Sequence, residues 1–416
     1  LSESRKLSRR GLIGAALGGG VAVGAGGFAV GRTLQAGPAQ AGPPGSPAVP
    51  FYGAHQGGIA SPAQDRLAFA AFDVTSTNVA DLRDLLLTWT QAAAKMTAGQ
   101  PVGPTETQPE VPPVDTGEAL GLAAGGLTIT VGFGSSLFDQ RFGLAKKKPA
   151  ALSVLPPLPG DELRPEISNG DIGVQACADD PQVAFHAIRN FARLARGVAV
   201  LRWSQLGFGR TSTTSNSQAT PRNLMGFKDG TNNIKLEDTA ALDDFVWVGK
   251  ESDQAWMRGG SYLVTRRIRM HVESWDRDRL GDQEAVFGRV KTSGAPLTGN
   301  AEFDTVNLTV KGSDGQSVIA DDAHIRLAAP ASNGGQKILR RGYSYTDGID
   351  PRTGELDAGL FFICYQKNAF KQFVPIQTRL GSGDALNEYI THTSSGLFAC
   401  PPGAAAGQWL GYSLFH

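Results

Sequence analysis

Gly226-Phe227-Lys228-Asp229-Gly230-Thr231-Asn232-Asn233 is the stretch on which the reading of this chain turns. It crowds two glycines, a carboxylate, a lysine and two amides together. Glycine loses too much entropy in a helix or a central strand, and Asp and Asn bond their own backbone. The segment therefore reads as a tight turn. A short apolar element, Pro221-Arg222-Asn223-Leu224-Met225, delivers that turn to a defined place. Downstream lie His324-Ile325-Arg326-Leu327 and Leu339-Arg340-Arg341-Gly342, an imidazole and guanidiniums that could complete a site with the Asp229 carboxylate.

On the N-terminal side of the turn the hydrophobic pattern is clear. Arg66 to Val74 predicts a buried strand, and Leu127 to Phe133 alternates with period two as a strand does. Between them Val79, Leu82, Leu85, Leu86 and Trp89 recur at helical spacing behind the capping run Ser76-Thr77-Asn78. Asp171 to Cys177 is a further strand. Asp180-Pro181 opens a helix to Arg196 as N-cap and first helical residue, and Val198 to Gly207 returns as a strand. The order is βαββαβ, that of a ferredoxin-like unit. On the C-terminal side, Ser261 to Val272 mixes apolar and basic residues in a strand-to-helix pattern, and Arg279 to Arg289 reads as helix. Strands over Gly342 to Thr346 and Gly359 to Gln366, a helix over Asn368 to Leu380 and a strand over Gly396 to Cys400 complete the series. The fold class is α+β, two ferredoxin-like βαββαβ domains, each an antiparallel sheet with helices packed on it. The boundaries are 42–215 and 216–416, with the Ser/Thr-rich run before Pro221 as the joint.

Residues 1–41 are set apart. Ser8-Arg9-Arg10-Gly11-Leu12-Ile13 opens a weakly hydrophobic, glycine-rich run, and Ala39-Gln40-Ala41 is a small-x-small cleavage site. This pattern predicts a twin-arginine export signal, with the chain extracellular, in the cell envelope or periplasmic, and with no stable membrane insertion after cleavage. That route carries folded proteins, which points to a prosthetic group inserted before export. Lys+Arg and Asp+Glu both number 39, so no basic excess supports a nucleic-acid partner. Cys177, Cys364 and Cys400 form no CxxC, which removes zinc and redox-pair readings.

One histidine, one carboxylate in a glycine-framed turn and one arginine at a strand start suit a haem peroxidase. At these residues the chain resembles the dye-decolourising peroxidase family, whose hallmark GxxDG stands here as Gly226-Phe227-Lys228-Asp229-Gly230. The likeness runs through FYGAHQGGIASPAQDRLAFAAFDV from Phe51, DIGVQACADDPQVAFHAIRNFAR from Asp171, HIRLAAP from His324, ILRRGYSYTDG from Ile338 and GLFFICYQ from Gly359. The export signal is similar to that of the deferrochelatase-like branch. The resemblance implies one haem b per chain. It implies an enzyme that uses hydrogen peroxide, through a ferryl intermediate, to oxidise dyes, phenolics or other reducing organic substrates. The alternative it implies is an exported deferrochelatase that releases iron from haem and serves an iron-uptake system. It assigns His324 as the proximal iron ligand, and Asp229 and Arg340 as the catalytic pair. It places Arg326, Gly230, Thr231, Leu360 and Phe362 around the cofactor. For the carboxylate partner of His324, Glu388 in Leu386-Asn387-Glu388-Tyr389 is the choice and Asp384 the competitor.

Overall fold

Arg66–Val74 (β1) is a strand because apolar side chains fill nearly every position, as in a sheet covered on both faces. A computed structural model describes residues 47–416, so the export-signal reading lies outside the described residues. After β1 come Val79–Thr97 (α1), Thr128–Gly134 (β2), Ile172–Ala178 (β3), Pro181–Leu194 (α2) and Ala199–Arg210 (β4). Both helices start as their sequences predict. Asn78 accepts from the Ala80 N–H, and Asp180 accepts from Gln182 N and Val183 N with Pro181 behind it. Leu82, Leu85, Leu86 and Trp89 form the buried stripe of α1.

The second half contains Thr239–Phe245 (α3), Ser261–Met270 (β5), Val272–Trp275 (α4), Leu280–Phe287 (α5) and His324–Ala328 (α6). Leu339–Arg340 (β6), Tyr343–Ile349 (β7), Leu356–Gln366 (β8), Phe373–Gly383 (α7) and Ile390–Cys400 (β9) follow. The strand-to-helix pattern expected over 261–272 resolves as β5, with all ten residues buried, followed by the single-turn helix α4 from Val272. Three arginines survive burial there because each meets carboxylates from distant segments. Arg266 pairs with Asp161, Arg267 with Asp347 and Asp357, and Arg269 with Asp350.

All strand pairings between these elements are antiparallel. In the first half the order across the sheet is β2-β3-β1-β4, and in the second β9-β5-β8-β7. The halves join twice, at Phe133↔Ala399 and Gly134↔Phe398, and at Phe208↔Ser344 and Arg210↔Tyr343. The β5–β8 ladder completes the circuit, so the sheet closes like a barrel. Its interior is one apolar core drawn from both halves, including Leu67, Phe69, Trp203, Leu263, Tyr343, Phe361 and Phe398. The other face of β1–β3 packs against α1 and α2 through Phe72, Trp89, Val174 and Phe191. The described residues fall within the single compact unit Ala41–His416. The three cysteines are buried and free. No helix among the described residues is long and apolar enough to cross a membrane.

Candidate active site

The turn that carries Asp229 is set by backbone geometry. Gly226 and Gly230 both have positive φ, +84° and +99°. At Gly230 a Cβ would also meet the Ser212 Cα at 2.7 Å, so only glycine allows the turn to lie against that backbone. The Asp229 N–H donates to the Pro221 carbonyl at 2.9 Å, and Asn223 N donates to the Phe227 carbonyl at 3.0 Å. Phe227 anchors the turn from below. It stacks on Phe287 at 4.1 Å and meets the edge of Trp275, inside an apolar cluster with Met225 and Tyr389.

Arg340 reaches Asp229 from β6. Its Nη1 donates to Asp229 Oδ1 in an ion pair. The other carboxylate oxygen, Oδ2, has a weak contact with Asn223 Nδ2 at 3.4 Å. Asn233 fixes the distance between turn and strand. Its Oδ1 accepts the Arg340 N–H at 2.8 Å, and its Nδ2 donates to the Arg340 carbonyl at 2.8 Å and to Thr213 O at 2.9 Å. Neither Asn223 nor Asn233 was singled out from the sequence, although both stand in or beside the glycine-framed stretch.

His324 begins the short helix α6. Its Nδ1 bonds Asp384 Oδ2 at 2.6 Å. The expected partner, Glu388, is therefore corrected to Asp384. The reason is local geometry. Asp384 is the buried N-cap of the turn Ala385–Glu388, where its Oδ1 accepts from Leu386 N at 2.9 Å, leaving Oδ2 free for the imidazole. Glu388 ends that turn and is exposed. Burial alone would push the His324 ring below the ordinary histidine value; the Asp384 carboxylate outweighs burial and holds it above. Asp229 adds to that rise and Arg340 opposes it, so both lie within electrostatic reach of the ring. His324 sits deep in the protein, yet 34% of its side chain is uncovered. The ring therefore lines an internal recess.

The remaining assigned residues are also placed. Leu360 and Phe362 alternate on one face of β8 and are half-exposed, whereas Phe361 and Ile363 between and beside them fill the barrel interior. Thr231 Oγ1 donates to Glu302 Oε1 at 3.1 Å, and Lys228 pairs with the same carboxylate. Burial would raise the Glu302 carboxyl, but Lys228, Thr220 and Thr231 outweigh it and hold it below the usual range. Arg326 uses Nε and Nη2 on the carbonyls of Leu308, Ile319 and Ala320, clamping a loop, and only Nη1 is left over. Among the described residues no three His, Cys, Asp or Glu side chains gather to hold a bare metal ion. A single imidazole with a carboxylate on Nδ1 and a free Nε2 instead fits a cofactor that brings its own equatorial ligands, as haem does. Leu360 and Phe362, half-exposed on one face of β8, are apolar surface of the kind that the flat face of such a group would cover.

These features define a closed-sheet α+β protein with a one-histidine recess. Residues 56–209 match the family description "Dyp-type peroxidase, N-terminal", and residues 220–405 match "Dyp-type peroxidase, C-terminal". The chain belongs to the Dyp-type peroxidase family. It is 40% identical over 374 residues to a deferrochelatase of Shigella boydii serotype 4, covering 88% of this chain and 87% of that one. A deferrochelatase of Yersinia pseudotuberculosis is likewise 40% identical, over 88% of this chain and 85% of its own. Among solved structures, a DyP-type peroxidase from Streptomyces coelicolor is 41% identical with a TM-score of 0.81, over 88% of this chain and 96% of that chain. Ferric DtpA from Streptomyces lividans is 41% identical with a TM-score of 0.82, over 89% and 97%.

Proposed function

We propose that this chain is a haem peroxidase that uses hydrogen peroxide to oxidise organic electron donors. The observation that supports the reading is the geometry of two pairs: His324 Nδ1 bonds the Asp384 carboxylate at 2.6 Å, and Arg340 pairs with the Asp229 carboxylate. Haem b, when bound, would supply the iron that takes up peroxide and the oxidising equivalents passed to the donor. His324 Nε2 is the atom offered to that iron, and Asp384 fixes the tautomer that exposes it. Leu360 and Phe362 would keep water from the cofactor, with Gly230 and Thr231 at its margin and Arg326 Nη1 toward a propionate. Asp229 would take a proton from one peroxide oxygen and return it to the other. Oδ2 is the atom for this work, because Oδ1 is held by Arg340. Arg340 does not release its own proton, and it would hold a fixed positive charge beside the leaving oxygen.

The test is stopped-flow mixing of the haem-loaded protein with peroxide. Asp229→Asn and Arg340→Leu should each slow the reaction by about 100–1,000-fold. A wild-type rate in both would refute the assignment. His324→Ala should bind haem poorly, read from the Soret band.

The deferrochelatase relatives favour a second reading, in which the same pocket releases iron from haem for an iron-uptake system. Recovery of intact metal-free porphyrin from the loaded protein, without donor oxidation, would select it. The strand orders of the two halves support ferredoxin-like units over 42–215 and 216–416. Ser8-Arg9-Arg10 supports twin-arginine export to the periplasm, the cell envelope or the medium. Retention in the cytoplasm on Arg9→Lys with Arg10→Lys would bear it out, and unaltered export would refute it.

A further inference from the structure

A second cleft, of about 410 Å3, lies outside the recess. Its walls come from the start of β1, the end of β4 and the segment that leads into the Asp229 turn: Asp65, Arg66, Phe208, Arg210, Thr220 and Pro221. Arg66 stands opposite Phe208 in the β1–β4 ladder, which brings the two arginines to one end of the sheet. Arg210 gives Nη1 to Asp65. Arg66, half-buried, pairs with no carboxylate among the described residues. The Nε of both guanidiniums is buried without a hydrogen-bond partner among the described residues.

Such a group is costly. Buried N–H donors are normally satisfied, and buried charges are normally paired. An unpartnered buried Nε also occurs at Arg266 and Arg269, but those guanidiniums meet carboxylates through their other nitrogens, and Arg66 does not. The residues that line the cleft carry two positive charges and the single negative charge of Asp65, with the Asp179 carboxylate behind it on the Asp65 N–H at 3.1 Å, and the Arg66 guanidinium is the charge left for an anion. A guanidinium fork matches a carboxylate in two parallel hydrogen bonds. Phe208 and Pro221 supply apolar walls, and guanidinium faces stack on aromatic rings. The volume falls in the range of small-molecule sites, about 300–1,000 Å3.

We propose that this cleft is a binding site for a small aromatic monocarboxylate, held by Arg66 and Arg210 against Phe208 and Pro221. None of these four residues belongs to the proposed haem site, so the inference stands without that reading. The cleft does touch the active-site turn, since the Pro221 carbonyl accepts the Asp229 N–H at 2.9 Å.

Isothermal titration of the full haem-loaded chain with benzoate, at low ionic strength, tests the site. Benzoate should bind with one-to-one stoichiometry and leave the Soret band unmoved. Benzamide, neutral and of the same shape, should bind at least about tenfold more weakly. Arg66→Gln should weaken benzoate by at least about tenfold, and Arg66→Lys should fall between, because charge remains and the fork is lost. A melting curve for each variant checks that it is folded, and Arg210→Gln serves if Arg66→Gln is not. Equal affinity for benzoate and benzamide, unchanged affinity in the Arg66 and Arg210 variants, or no saturable binding would each overturn the proposal. So would a benzoate-induced Soret shift that disappears in Arg340→Leu, which would place the ligand in the haem recess. Displacement by inorganic phosphate at equal concentration would make this an inorganic-anion site and overturn the aromatic class.

Discussion

Asp384→Asn removes one negative charge while keeping the shape of the side chain. In the folded protein Asp384 is buried, Oδ2 takes the His324 Nδ1–H at 2.6 Å, and Oδ1 caps the following turn at 2.9 Å. Asparagine can keep the cap through its amide oxygen. It then presents its NH2 group to Nδ1, which drives the imidazole proton to Nε2, the nitrogen proposed to bind iron. Loss of a partner of this kind costs about 10–100-fold in metal affinity, equivalent to about 1.4–2.8 kcal/mol. Titration of the apoprotein with haem, followed at the Soret band, should show that loss in Asp384→Asn and none in Glu388→Gln. Equal affinity in Asp384→Asn, or the larger loss in Glu388→Gln, would refute the reasoning. The apoprotein tests the sign independently. His324 is held above its ordinary value, so its protonated form stabilises the fold. That contribution is complete below about pH 6.5, the unfolded value, and is lost as pH rises through the raised folded value. The gap in melting temperature between wild type and Asp384→Asn should be widest below about pH 6.5 and narrow above it. A gap that widens with pH would contradict the pairing.

Two further substitutions bear on the turn. Gly230→Ala forces a side chain into positive φ and against the Ser212 backbone, so thermal unfolding should show a loss of about 1–3 kcal/mol and peroxide reactivity should fall with it. Asn233→Ala unties the Arg340 backbone at two points. It should cost about 1–3 kcal/mol, and its rate with peroxide should drop while haem affinity holds; a wild-type rate would show that Arg340 needs no such tether.

Much of the architecture could be read from periodicity and capping. Arg66–Val74, the capped helices behind Asn78 and Asp180, and the alternating strand before Gly134 stand where the sequence predicts them. At β5 the strand is legible, but the burial of Arg266, Arg267 and Arg269 in it is not. Their carboxylates arrive from segments about 80–105 residues away, and only the folded chain shows that they meet. The choice between Asp384 and Glu388 failed for a related reason. Both acids follow the same helix, and the turn that caps with one and exposes the other is a three-dimensional fact. The glycine-framed turn was legible because positive φ leaves a residue-type signature, whereas an asparagine that bridges two segments by side chain leaves none.

The barrel is welded at two thin points. Where the first half meets β7, Arg210 lies opposite Tyr343, only three positions beyond Arg340. Warming that springs this weld would free the strand that follows Arg340 and the Ser212 backbone against which Gly230 packs, loosening the Asp229 turn before the rest of the fold melts. Heat inactivation would then run ahead of bulk melting, and a bond placed across that weld would prolong working life more than the same bond anywhere in the helices.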